Sequence, residues 1–152
     1  MTTTTIKTAD LTGAALDYAV AMAGAWKHAH EHFPTMTLDS TFKGYRAFRF
    51  EGGRVVCQLV PNNPFRQDHV IYEPSSTWEI AGLIIERELI STNHMQGRAE
   101  QFRWQALIPG RDKNGLAETR DCYGPTLLTA AMRCYVASKL GGTVDIPQEL
   151  SP

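Results

Sequence analysis

The sequence predicts an α+β fold: an antiparallel sheet built from hairpins, with an N-terminal and a C-terminal helix packed on it. Three observations carry this. Apolar residues recur at helical spacing near each end of the chain, at Leu11, Ala15, Leu16, Ala19, Val20, Ala23 and Trp26, and again at Leu127, Leu128, Ala131, Met132, Tyr135, Val136 and Leu140. Between these stripes the period falls to two. Two turn-rich stretches, Glu51-Gly52-Gly53 and Pro109-Gly110-Arg111-Asp112-Lys113-Asn114-Gly115, sit where hairpins would reverse.

In chain order, residues 1–9 read as a loose tail. Asp10 or Thr12 caps a first helix over roughly 11–28, whose alanines favour close packing. Residues 29–40 form a connection containing Pro34. Phe42 to Phe50 and Arg54 to Val60 make a hairpin, which Pro61-Asn62-Asn63-Pro64 stops. Val70 to Tyr72 is a short extended piece, and Pro74 to Gly82 a turn or a single helical turn. Leu83 to Ile90 sets Ile85, Arg87 and Leu89 against Ile84, Glu86 and Glu88, which suits a strand. Residues 99–108 and 116–122 form a further hairpin.

The closing helix is well punctuated. Gly124 stands at its N-cap and Pro125 at its first position, where the missing N–H costs nothing. Lys139 complements the dipole, Gly141 is placed to stop the helix, and Pro147 blocks a restart. Its second face, Thr126, Thr129, Ala130, Arg133 and Ala137, is small and weakly polar around one long cation. A solvated face would carry more Glu and Lys. The helix is therefore expected to be covered on both sides, by a second layer, a subunit or a ligand. Residues 1–152 read as one domain without repeat or linker.

Composition narrows the function. The formal net charge is −1 and no Lys/Arg run stands out, so the footprint of a long nucleic acid is missing. No apolar run approaches the roughly 20 residues that span a bilayer. Met1 is followed by Thr2 to Thr5 rather than by a charged and then apolar segment, so no secretory signal is expected. Cys57, Cys122 and Cys134 lack metal spacing and read as reduced, buried thiols. His28 and His32 share a helix face with His30 nearby, but at a frayed end before Pro34, where a solvated helix terminus is the simpler reading. His69 and His94 read as surface residues. No metal and no cofactor is assigned.

Two sets of residues carry chemistry. Tyr72 precedes Pro74-Ser75-Ser76-Thr77, which offers hydroxyls and, if a helical turn starts there, free N–H groups for an anion. Trp78 supplies a stacking face, Arg87 a bidentate donor for phosphate or carboxylate, and Glu86 with Glu88 acceptors for hydroxyls or amines. The second set repeats the theme with Tyr123, Thr126 at a helix start, and Arg133. Brought together, the sets describe a pocket for a nucleotide-like molecule. Plainer readings compete: Ser75 to Thr77 as a cap, Trp78 as core, Arg133 and Glu86 as a buried pair. No Gly-x-Ser-x-Gly, Walker loop, His-Glu-x-x-His or His-x-Ser/Thr pair occurs. Glu86 and Glu88 could do acid–base work, but no nucleophile accompanies them. No catalytic residue is assigned.

Gly124-Pro125-Thr126 running into Ala130-Ala131-Met132-Arg133-Cys134-Tyr135-Val136-Ala137-Ser138-Lys139-Leu140-Gly141 resembles the C-terminal signature of the NinX-like phage proteins. Leu11 to Ala21 is similar to that family's opening helix, and Tyr72 to Trp78 with Gly82 and Ile84 to Glu88 to its central motif. Trp104-Gln105-Ala106 and Val144 to Leu150 match in order. The resemblance implies a phage accessory product acting in the cytoplasm of a bacterial host. Joined to the aromatic–arginine sets, it leads to a ligand-binding protein without turnover, a sponge for a nucleotide immune signal such as a cyclic oligonucleotide or an ADP-ribose derivative. Two other classes stay open. One is an interaction module inhibiting a host factor through an exposed apolar patch, with the Ala-rich first helix as its candidate surface. The other is a nucleotide-modifying enzyme. Close helix contacts along both helices would also suit a homo-oligomer.

Overall fold

A computed structural model of the chain describes residues 2–24, 26–28, 35–38, 46–51, 53–59 and 68–151. Two helices form its centre. In α1 (Gly13–Ala23) every residue from Ala15 to Ala21 is buried, and in α3 (Leu127–Leu140) every residue from Leu128 to Val136 is buried. A helix with a solvated side cannot hide seven or nine consecutive residues. Both are enclosed all round, which small side chains at Ala15, Ala19, Ala130 and Ala131 allow.

The strands supply the enclosure. On one side of α3 lies a three-stranded antiparallel sheet of β7 (Ser91–His94), β8 (Trp104–Arg111) and β9 (Ala117–Gly124), in that order. Its inner face presents Ala106, Ile108 and Cys122 to the helix. On the other side α3 packs on α1. Helix α1 in turn backs β5 (Arg54–Leu59), where Val55 is buried. That strand belongs to a five-stranded antiparallel sheet with β2 (Trp26–His28), β3 (Thr35–Leu38), β4 (Arg46–Glu51) and β6 (Asp68–Ile71), in the order β2-β3-β4-β5-β6. The chain ends meet as a third, two-stranded sheet. In it β1 (Thr3–Lys7) pairs antiparallel with β10 (Thr143–Pro147), bringing Thr3 opposite Pro147 and Lys7 opposite Thr143. The remaining helix, α2 (Trp78–Arg87), packs Ala81 and Ile84 inward and touches α3.

The α+β fold with hairpins and terminal helices is as the sequence predicts, and both hairpins form. Several elements differ. Residues 3–7 are a strand, not a loose tail, because β10 satisfies their main chain. The first helix ends at Ala23, and Trp26 lies in β2 rather than on the helix's inner face. The connection at 29–40 contains β3. Leu83 to Ile90 is not a strand: the doublets Ile80–Ala81 and Ile84–Ile85 recur at helical spacing and continue one helix from Trp78. The closing helix begins two residues later than read. Thr126 is its N-cap, accepting from Thr129 N at 3.1 Å, while Gly124 is the last residue of β9. His28 lies in β2, and His30 and His32 fall outside the described residues.

Two backbone positions constrain this packing. A Cβ on Gly124 would lie 2.8 Å from Ala130 N, so glycine lets the end of β9 touch the first turn of α3. Leu89 has φ 56 and closes α2, with its N–H donating to Glu86 O at 3.3 Å and that of Ile90 to Ile85 O at 3.0 Å. This Schellman geometry ordinarily takes glycine. Here it holds a leucine that is 71% exposed.

Gly124→Ala is expected to lower unfolding stability by about 1–3 kcal/mol, read by urea titration, because backbone on both sides must give. Leu89→Gly should raise it by about 1 kcal/mol, since relief of the left-handed conformation exceeds the added freedom of the unfolded chain.

Candidate functional site

The central motif is folded against α1. Tyr72 N donates to Val55 O at 2.7 Å, continuing the β5–β6 pairing, and the chain then turns at Glu73, whose carbonyl accepts from Ser76 N and Thr77 N at 3.0 and 2.8 Å. Pro74 is buried. Ser75 N donates to Asp17 Oδ1 at 2.8 Å, and Asp17 is only 3% exposed in the middle of α1. Burial pushes the Asp17 carboxyl up to about 7; the Ser75 hydrogen bonds oppose this and the Glu73 charge adds to it. Thr77 is the N-cap residue of α2, but its hydroxyl donates back to Glu73 O instead of capping. Ser76 points the same way. The hydroxyls thus stabilise their own turn. Trp78 is 59% exposed and is not core.

Glu86 is exposed, and Arg87 turns toward α3. Its Nη2 donates to Tyr135 Oη at 3.3 Å, and its Nε meets Glu88 Oε1 at 3.0 Å. Lys139 Nζ lies 3.4 Å from Glu88 Oε2, and both cations sit over the Tyr135 ring, at 5.9 and 6.0 Å from its centroid. This cluster ties the end of α2 to α3.

Arg133 is buried with main-chain partners. Its Nε donates to Leu11 O at 2.8 Å and its Nη1 to Tyr123 O at 2.9 Å. The anticipated Arg133–Glu86 pair is not formed, because Glu86 faces solvent. Among the described residues no hydrogen bond, ion pair or ring contact joins Trp78 or Arg87 to Tyr123, Thr126 or Arg133. Trp78 and Arg87 are therefore not drawn to the Tyr123–Arg133 set by any of these contacts.

Of these residues, Tyr123 stands in the arrangement best suited to hold a ligand. In an antiparallel sheet, directly opposed residues share a face. Asn93, Gln105 and Tyr123 form one such row, and Ser91, Leu107 and Asp121 the next. These rows face away from α3, since the alternate residues Ala106 and Ile108 are buried beneath. Tyr123 Oη donates to Asp121 Oδ2 at 3.1 Å and accepts from Gln105 Nε2 at 3.2 Å. The β7–β8 connection folds over the end of this face, with Met95 N donating to Arg103 O at 2.7 Å and a single 3-10 turn at Glu100–Phe102. It places the Arg98 guanidinium 6.0 Å from the Tyr123 ring centroid and sets Phe102 edge-to-face against the same ring at 6.1 Å. Sequence reasoning missed Arg98, Phe102, Gln105 and Asp121. The hairpin register could have paired Gln105 with Tyr123, but nothing in the sequence shows how the connection bends.

Cys122 and Cys134 are free thiols on the buried side of β9. Cys134 Sγ contacts Arg120 O at 3.4 Å. A hydrogen bond from Cys134 draws the Cys122 thiol below its ordinary range, while that bond and burial push Cys134 up. Among the described residues no group of three or more His, Cys, Asp or Glu could hold a metal ion, and no helix is long and apolar enough to cross a membrane.

Asp17 gives this region a pH signature. Its folded pKa, about 7, lies above the ordinary carboxyl value of 3.8, so the folded state keeps the proton longer than the unfolded chain. Stability is fully present below about pH 4 and falls as pH rises to about 7, by up to roughly 4 kcal/mol. Asp17→Asn keeps an acceptor for Ser75 N and removes the charge. Thermal unfolding between pH 4 and pH 8 should show a shallower decline for this variant than for the parent.

A comparison with curated proteins finds none that matches the chain. A comparison with protein families matches residues 7–139 to the family described as Bacteriophage P22, NinX. That stretch runs from the end of β1 to the last turn of α3 and includes both the central motif and the Arg133 helix. The chain belongs to the NinX family of phage proteins.

Proposed function

We propose that this protein binds a nucleotide-like small molecule on the open face of the β7–β8–β9 sheet and sequesters it without turnover in the cytoplasm of the bacterial host. The observation that carries the reading is the set around Tyr123: an aromatic ring hydrogen-bonded at its tip, flanked by the Arg98 guanidinium and by Phe102, which is 45% exposed. Base stacking on such rings and phosphate contact by a neighbouring guanidinium are the usual means of holding nucleotides. Sequestration needs affinity and stoichiometry only, which suits a cyclic oligonucleotide or an ADP-ribose derivative as an immune signal.

One observation favours a second reading, an interaction module. Trp78, Leu83 and Leu89 of the α2 segment are 59%, 68% and 71% exposed, and Leu89 is held in a strained backbone conformation. The opening helix, the surface anticipated for this role, is buried within the chain. The helix faces on which homo-oligomerisation was anticipated are covered in the same way.

The protein is to be incubated with cyclic oligonucleotides and ADP-ribose derivatives, then heated to release what it holds. Recovery of intact ligand, with Tyr123→Ala and Arg98→Ala each weakening uptake on the order of ten-fold or more, is the expected result. Altered ligand would make it an enzyme. No uptake, with loss of a host-protein complex in Trp78→Ala and Leu83→Ala, would favour the α2 reading.

A further inference from the structure

We infer that the base recognised on this face is guanine; the inference rests on the nucleotide-binding reading above and gives the ligand class of that same site. The argument is the count of acceptors against donors. In the hydrogen-bonded chain on the face, Gln105 Nε2 donates to Tyr123 Oη at 3.2 Å and lies 3.4 Å from Asp121 Oδ2, while Tyr123 Oη donates to Asp121 Oδ2 at 3.1 Å. Both of these donors are turned onto the Asp121 end of the chain. They hold the carboxylate in one orientation. What the chain leaves for a ligand is acceptor capacity: Asp121 Oδ1 and Gln105 Oε1, neither of which has a hydrogen-bond partner among the described residues.

A face that presents acceptors selects an edge that presents donors. Guanine offers two adjacent donors, N1–H and N2–H, on one edge. Adenine and cytosine each offer an amino donor beside a ring-nitrogen acceptor, and uracil a single N3–H between two carbonyl acceptors, so each can give Asp121 at most one hydrogen bond where guanine gives two. Asp121 is exposed, so the edge can reach it, and Phe102 offers a ring face for the base plane. Arg98 is exposed beside Tyr123 and supplies the cation for a phosphate. The ligand is therefore a guanine nucleotide, free or within a cyclic oligonucleotide.

The test is titration calorimetry of the intact protein with the four 5′-mononucleotides and with cyclic di-GMP and cyclic di-AMP. The guanine forms should bind about ten-fold or more tightly than the others. Asp121→Asn, which replaces one acceptor oxygen by a donor on an exposed residue, should erase that preference and keep residual binding. Arg98→Ala should weaken every nucleotide by a similar factor. Equal affinity for all bases overturns the guanine assignment, and a guanine preference unchanged in Asp121→Asn overturns its placement on this face; either leaves nucleotide binding standing. Absence of binding by every nucleotide overturns both.

Discussion

The architecture depends on how one buried cation is satisfied. Arg133 lies in the middle of α3, a helix enclosed by a sheet on one side and by α1 on the other. An unpaired guanidinium there would be costly. Its fork instead closes onto two main-chain carbonyls far apart in sequence, Leu11 at the threshold of α1 and Tyr123 at the end of β9. Burial lowers the pKa of the guanidinium, and Asp10 opposes that. The planar fork lets Nε and Nη1 reach the two carbonyls separately, where a lysine would present its donors from a single nitrogen. One side chain thus joins the start of the first helix, the end of β9 and the last helix.

This also explains which parts were legible in the sequence. The weakly polar second face of α3 correctly signalled burial on both sides, and the stripes of both helices and the turns of both hairpins are local patterns that survive tertiary packing. Arg133 itself was read as a ligand contact and donates to two backbone carbonyls; a lone arginine on such a face reads the same whether it meets a phosphate or a carbonyl. The strand β1 was invisible for another reason. Thr2 to Thr5 has strand propensity but no alternation, and its partner lies at the opposite end of the chain. Helix α2 failed on period: Ile84-Ile85 flanked by charges fits two-residue alternation as well as helical doublets, and only the preceding Ile80–Ala81 decides between them.

The candidate site was half legible for similar reasons. Tyr123 stood out as an aromatic the helix did not need. Its neighbours Arg98 and Phe102 come from the β7–β8 connection, whose path is set by main-chain bonds such as Met95 N to Arg103 O. Trp78 and Arg87 looked like partners of Tyr123 because both sets offer an aromatic and a cation. The structure sends them elsewhere, Trp78 into solvent and Arg87 onto Tyr135. Residue type identified the chemistry, but only register and loop path decided which residues meet.

The alternation of β9 separates two kinds of chemistry on one strand. Cys122 and Tyr123 are adjacent, so their side chains leave opposite faces. The thiol lies on the helix side with Cys134, while the ring, the Asp121 carboxylate and the Gln105 amide lie on the open side. Gly124 completes the arrangement by letting β9 press onto the first turn of α3, which fixes the strand from beneath. With the strand fixed and the Tyr123 hydroxyl held between Gln105 and Asp121, the polar groups are oriented before any ligand arrives. A ligand meeting this face would lose less binding free energy to ordering side chains, and a preorganised surface of this kind can bind tightly through few contacts.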